Sequence, residues 1–233
     1  MTNRVRALLF DLDGTLVDSE TQTDRSIEFV AALHGVRGFV LPHVETRGRT
    51  WTHVAAVMRE RAPIDAPAEV LVKELLTHWN DGTADVTPVP GAAAALHAAA
   101  AANLKIAVVS SSPRAVIERL VGRLGASAVV DRSACVGGDD VRNGKPDPEG
   151  FLKAAAALGV DPAEALVFED SRAGLLAARA AGMRSMFITC CATDIAGNAA
   201  LATISFTDYR VLPTSFWREL VAGTPELAGR SFA

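Results

Sequence analysis

The sequence is short of several things that would each mark a particular kind of protein. It has only three cysteines, Cys135 and the adjacent pair Cys190 and Cys191, with neither C-x-x-C spacing nor an even disulfide framework, so free or buried thiols are expected. Four lysines (Lys73, Lys105, Lys145, Lys153) and a net charge of −4 leave no broad positive field, which argues against nucleic acid or a membrane surface as partner. Long hydrophobic runs are missing. The first apolar run, 7–10, stops at Asp11 and is too short for a secretory segment or a membrane span, so a cytoplasmic protein is expected. All five histidines (His34, His43, His53, His78, His97) lie in the first 97 residues and none pairs with a cysteine at zinc spacing. No repeat of solenoid period occurs. With 49% hydrophobic and 21% charged residues, disorder, collagen and coiled coil are excluded.

What remains is an ordinary globular composition in a chain of 233 residues. That is longer than an average domain of roughly 100–150 residues and short of two, so one core carrying one sizeable insertion is expected. Apolar runs of strand length recur at 7–10, 106–109, 128–130, 166–168 and 186–188, mostly separated by helical patterns at 113–124, 148–158 and 173–181. Strand alternating with helix predicts an α/β fold with a parallel, Rossmann-like sheet. Residues 19–87 break the alternation, offering helices near 21–34, 52–61 and 67–79 and no convincing strand. They read as an inserted all-helical domain, with residues 1–18 and 88–233 forming the discontinuous core. Val86-Thr87-Pro88-Val89-Pro90-Gly91 reads as a stiff linker before the alanine-rich helix 92–102. Residues after about Gly223 are expected to fray.

The chemistry concentrates at strand ends. Asp11-Leu12-Asp13-Gly14-Thr15-Leu16 follows the first strand directly, and positions i and i+2 of an extended backbone point the same way, so Asp11 and Asp13 converge beyond the sheet edge. Open parallel sheets bind ligands at that edge. An acidic turn would explain one aspartate, but two crowded carboxylates call for a cation. The second strand runs into Ser110-Ser111-Ser112 and the fourth into Glu169-Asp170-Ser171, while Gly144-Lys145-Pro146-Asp147-Pro148 sets one of the four lysines in a rigid frame before a helix. A nucleotide P-loop is excluded because Pro146 follows Lys145, and no G-x-S-x-G elbow occurs.

These four segments, in this order, resemble the motifs of the haloacid dehalogenase superfamily, and F-D-L-D-G-T-L-V-D-S, G-K-P-D-P and F-E-D-S are similar to its subgroup of beta-phosphoglucomutases and sugar-phosphate phosphatases. The resemblance covers nearly the whole chain. It implies a helical cap at 19–87 and an Mg²⁺-dependent phosphatase acting on a small phosphorylated metabolite, a sugar or polyol phosphate, through an aspartyl-phosphate. Asp11 would be the nucleophile and Asp13 the general acid and then base, a role that asks its environment to raise a pKa of about 3.9. Ser110, Ser111 and Lys145 would hold the phosphoryl group, and Asp11, Asp13, Glu169 and Asp170 would supply hard oxygen ligands to the metal, Asp13 through its backbone carbonyl.

Asp13 and the Glu169-Asp170 pair argue against the metal-free dehalogenases. A phosphonoacetaldehyde hydrolase would need a cap lysine that residues 47–53 lack. A beta-phosphoglucomutase-type mutase is the closer alternative, but known mutases carry a histidine early in the cap, where this chain has Glu20-Thr21-Gln22-Thr23-Asp24. A non-catalytic phosphate-binding or regulatory protein is a third reading. Specificity is expected from the cap loop 47–53, with Arg49, Trp51 and His53 facing the substrate, and the protein is expected to be a monomer or weak homodimer.

Overall fold

The computed structural model describes residues 4–82 and 86–223. Five parallel strands form the central sheet: β1 (Ala7–Phe10), β4 (Lys105–Val108), β5 (Ala165–Glu169), β6 (Arg184–Ile188) and β7 (Ile204–Phe206), in the spatial order β4-β1-β5-β6-β7. β1 lies inside the sheet, apolar throughout, and pairs with both its neighbours, Ala7 opposite Lys105 on one side and Ala165 on the other. From β4 the chain crosses over β1 to reach β5, so the strand order reverses there and the carboxyl ends of β1 and β5 face an open crevice.

Period-two alternation divides each strand between two cores. Leu8, Phe10, Ile106, Val108, Leu166 and Phe168 face one side, and Ala7, Leu9, Ala107, Val109, Ala165 and Val167 the other. The second face is lined by small residues, and α7 (Glu149–Leu158) and α8 (Arg172–Ala180) meet it with Ala154, Ala155, Ala177 and Ala178, which lets the helices sit close. The first face carries large rings, with Phe10 and Phe168 stacked at 4.6 Å. Full burial of such a side chain is worth about 1.5–3 kcal/mol, so this face anchors the strand whose end bears the functional residues.

The edge beyond β4 differs from the sequence expectation. Residues 128–130 form a turn, not a strand. A short 3₁₀ turn at Arg132–Ala134 follows at once and interrupts the segment, so no continuous ladder forms there. The chain instead touches β4 at separate points, Asp131 N donating to Ile106 O and Val136 N to Val108 O. The fifth strand of the sheet is β7, followed by α10 (Phe216–Ala222), whose Phe216 and Trp217 complete the aromatic core. Residues after Gly223, expected to fray, lie outside the described ones apart from that glycine.

Between β2 (Val17–Asp18) and β3 (Thr87–Pro88) lie α1 (Glu20–Leu33), α2 (His43–Thr46), α3 (Trp51–Arg61) and α4 (Ala68–Asp81). α1 and α3 both pack on α4, burying Ile27, Val30, Val54, Met58, Leu71, Leu75 and Trp79. The two crossings into this helical layer are not independent linkers. β2 and β3 pair antiparallel, Val17 opposite Pro88, and Val89 N donates to Leu16 O at 3.0 Å. Two residues per strand carry no periodicity, so this ribbon was invisible in the sequence. α5 (Ala92–Ala101) and α6 (Arg114–Arg123) then flank β4. Among the described residues, no helix is long and apolar enough to cross a membrane.

Candidate active site

β1 delivers Asp11 to the sheet edge, and Gly14 turns the chain back with φ of 84°, its N–H donating to Val17 O at 2.7 Å. Glycine is needed there twice over. The backbone is left-handed, and a Cβ would lie 2.2 Å from Asp170 Oδ2. Gly14→Ala is therefore expected to cost at least about 1–2 kcal/mol from the backbone alone and to push Asp170 aside, which denaturant unfolding and turnover measurements will register together. Wild-type values in both would show that Asp170 yields freely.

Lys145 reaches the same point from the loop before α7. Its Nζ donates to Asp11 Oδ1 at 2.5 Å, Glu169 Oε1 at 2.7 Å and Val109 O at 3.1 Å, so all three donors are used. Burial alone would lower its pKa, but Asp11 and Glu169 outweigh it and hold the ammonium above its usual range. Asp11 is pushed up to about 8, first by burial and then by Glu169 and Asp13, with Lys145 pulling the other way. Burial, followed by Glu169 and Asp11, also raises Asp170 well above the usual carboxylate range.

Asp11, Glu169 and Asp170 each present an oxygen within 4.8 Å of the others, all three buried. One ammonium does not balance three carboxylates. Thr15 Oγ1 donates to Asp170 Oδ1 at 3.2 Å, whereas the buried Asp170 Oδ2 has no hydrogen-bond partner. An unsatisfied carboxylate oxygen in a cluster of excess negative charge fits a hard divalent cation. Glu169 is more committed: Lys145 takes Oε1, and Ser171 N and Oγ donate to Oε2 at 2.8 and 2.9 Å. Gly174 lets this happen, since a Cβ there would lie 1.7 Å from Glu169 Oε1.

Asp13 faces the crevice under three hydroxyls. Ser19 Oγ donates to Oδ1 at 2.7 Å, and Ser110 and Ser112 donate to Oδ2 at 3.1 and 2.9 Å. Ser110 and Ser112 are two residues apart and face one way, while Ser111 turns to the helical layer and donates to Gly48 O at 2.8 Å. The sequence reading named the serine run but not the role of Ser112, which the same i, i+2 argument used for the aspartates would have supplied. Ser19 closes the F-D-L-D-G-T-L-V-D-S segment, but nothing in the sequence assigned its hydroxyl to Asp13.

The loop between α2 and α3 closes the crevice. Arg49 Nη1 donates to Lys145 O at 3.2 Å, and Gly48, at φ 67°, sits so near the core that a Cβ would lie 2.3 Å from Ser171 Oγ. A narrow cleft runs from Asp11 and Asp13 into the helical layer, walled by Glu20, Thr23, Arg47, Arg49, Trp51 and Trp79. Trp79 Nε1 donates to Thr23 Oγ1 at 3.2 Å and meets Trp51 edge-on at 6.3 Å. Arg47, ion-paired with Glu20, opens the loop 47–53 from which specificity is expected, although only Arg49, Trp51 and His53 were singled out within it. His53 is not among the cleft-lining residues. It is half-buried, its N–H bonded to Thr50 Oγ1, and burial together with Arg49 holds its imidazole below the usual range.

The fold and the site together define an α/β enzyme with a buried carboxylate–ammonium centre beside a layer of helices. The chain belongs to the haloacid dehalogenase-like hydrolases, a family that matches residues 5–182, and it is a hydrolase. It is 36% identical over 194 residues to validoxylamine A 7'-phosphate phosphatase of Streptomyces hygroscopicus subsp. limoneus, covering 79% of this chain and 85% of that one. It is 31% identical to the fructose-1-phosphate phosphatase of Escherichia coli (strain K12), covering 78% and 96%. A beta-phosphoglucomutase from Clostridium difficile shares the fold, with a TM-score of 0.79 over 94% of this chain and 97% of that one at 21% identity.

Proposed function

We propose that the protein is an Mg²⁺-dependent phosphatase that hydrolyses a small phosphorylated metabolite, a sugar or polyol phosphate, through an aspartyl-phosphate. The observation that carries this reading is the pairing of Asp11 with Lys145 at the mouth of β1, facing Asp13 across the same crevice. Asp11 is the nucleophile, with one oxygen oriented by Lys145. Asp13 gives a proton to the departing alcohol and later takes one from the attacking water. Ser110, Ser111 and Lys145 surround the phosphoryl group, so that hydroxyls now turned to Asp13 and Gly48 become available to phosphoryl oxygens.

Asp11, Asp170 and the Asp13 carbonyl would hold Mg²⁺, with Glu169 bordering the set and fixing Lys145. When bound, the ion offsets charge on the phosphoryl oxygens and on the crowded carboxylates. Residues 1–18 and 88–233 act as the catalytic core and 19–87 as the cap, whose docked loop at Gly48 and Arg49 excludes bulk water during transfer. Hydroxyl-rich substrates suit a cleft that offers a glutamate, two arginines and two threonines against tryptophan walls. His53 is the weakest of the three specificity residues, because the cleft does not include it. The acidic chain points to a cytoplasmic enzyme, monomer or weak homodimer, that uses neither nucleic acid nor membrane.

Among the described residues, Thr23 and Glu20 line the cleft in the first cap helix and no histidine does, which favours hydrolysis over mutase chemistry. The purified protein is expected to release phosphate from an aryl phosphate and from a sugar-phosphate panel, and EDTA should abolish that release. Beta-glucose 1-phosphate is expected to yield glucose and free phosphate, or no reaction. Its conversion to glucose 6-phosphate would make the enzyme a mutase, and silence across the whole panel with Mg²⁺ present would make it a binding protein.

A further inference from the structure

The adjacent cysteines 190 and 191 take no part in this chemistry, yet they lie beside it. They follow β6 at the carboxyl edge of the sheet, in a turn where Cys190 N donates to Thr207 O at 3.1 Å and Ala192 N to Thr189 O at 3.2 Å. Neighbouring side chains on an extended strand point to opposite faces. Here the turn brings the two Sγ atoms within 3.7 Å, with Cys190 exposed and Cys191 half-buried. The third cysteine does not compete, because Cys135 is buried and its sulfur is engaged with Val108 N and Asp131 O.

The spacing distinguishes two kinds of thiol chemistry. A trivalent arsenic atom keeps a lone pair and is pyramidal, so it holds two bonded sulfurs somewhat closer than the observed 3.7 Å but far outside bonding distance of each other. A disulfide would draw them in to about 2.05 Å across a single peptide link. Chelation by such an atom therefore asks much less movement of this pair than a disulfide does. The thiols are also unequal: the bond from Cys191 lowers Cys190 below the usual thiol range, and the same bond raises Cys191. Thr193 and Asp194, next along the turn, line a second cavity together with Arg47, Arg49 and Asp170.

We propose that Cys190 and Cys191 form a vicinal-dithiol site that chelates one monosubstituted trivalent arsenical, and that its occupation slows the enzyme from the flank of the cleft. The reagent R–As(OH)₂ loses both As–O bonds and gains two As–S bonds. Each hydroxide leaves with a thiol proton as water, and no electrons change hands. The chelation stands on the geometry of the pair alone, while the slowing rests on the phosphatase reading.

Incubation with phenylarsine oxide followed by intact-mass measurement tests the chelation without reference to activity. One adduct per chain is expected, resistant to excess glutathione and removed by 2,3-dimercaptopropanol. Cys190→Ser and Cys191→Ser should each lose the resistant adduct and keep wild-type turnover, whereas Cys135→Ser should retain it. Glutathione-labile adducts on the wild type, or resistant ones on either single variant, would overturn the site. Loaded wild-type enzyme is expected to turn over an active substrate at least tenfold more slowly, and an unchanged rate would overturn the coupling to the cleft.

Discussion

Asp11→Asn is expected to reduce turnover by about 10⁴-fold or more, the scale seen when an enzyme loses its nucleophile. The amide keeps the shape and loses the attacking oxygen. Lys145 retains Glu169 Oε1 and Val109 O, so its ammonium stays partnered and the fold should survive. Stability should change in an informative way. A carboxyl raised in the folded protein from 3.8 to about 8 binds its proton more tightly there than in the unfolded chain. Its contribution to stability is then present at low pH and declines as pH rises from about 4 towards 8. The asparagine variant lacks that decline. With chelator present, denaturant midpoints between pH 5 and 8 should fall less steeply for the variant than for the wild type. Substantial residual turnover would remove Asp11 from the nucleophile's role, whatever the stability result.

Lys145→Met should produce the largest loss of stability. It leaves Asp11, Glu169 and Asp170 buried together with their neutralising ammonium gone, and breaking a buried charge pair in this way typically costs about 3–5 kcal/mol. For a chain of this length that corresponds to a fall of roughly 10 °C in Tm, with activity lost as well. Adding Asp11→Asn to Lys145→Met removes one of the stranded carboxylates. The double variant is therefore expected to recover part of the lost stability and none of the activity. If the two losses simply add, the damage lies in packing against Phe151, whose ring centre is 5.1 Å from Nζ, and not in charge.

Much of the candidate site was legible because most of its carboxylates and its serine run follow strands with a clear pattern. Asp11, Ser110, Glu169 and Asp170 lie at or just beyond three strand ends, and the structure brings all of them, with Lys145, to one crevice. What stayed hidden depends on how the chain folds back on itself. Ser19 meets Asp13 because the turn after β1 leads into β2 alongside it, and Arg47, at the edge of the cleft, pairs with Glu20 on α1. Residues 128–130 were misread for the opposite reason. A short apolar run satisfies a local rule for strands, but whether it pairs depends on the chain that follows, here the turn at Arg132–Ala134. β7, at three residues, is set by the edge of β6 and not by its own pattern.

The β2–β3 ribbon bears on how such an enzyme changes over time. Val17 and Pro88 are partners, so the long excursion between them leaves the core and re-enters it at a single place. From the sheet's standpoint the excursion is equivalent to a hairpin turn, and the cost of closing a loop grows only slowly with its length. Helices can be added there, shortened or exchanged for another lineage's without shifting a strand or moving Asp11. On the proposed function, recognition in this segment and catalysis at the sheet edge can diverge at separate rates within one polypeptide, and a graft of a relative's segment between Val17 and Pro88 is expected to carry over that relative's substrate preference.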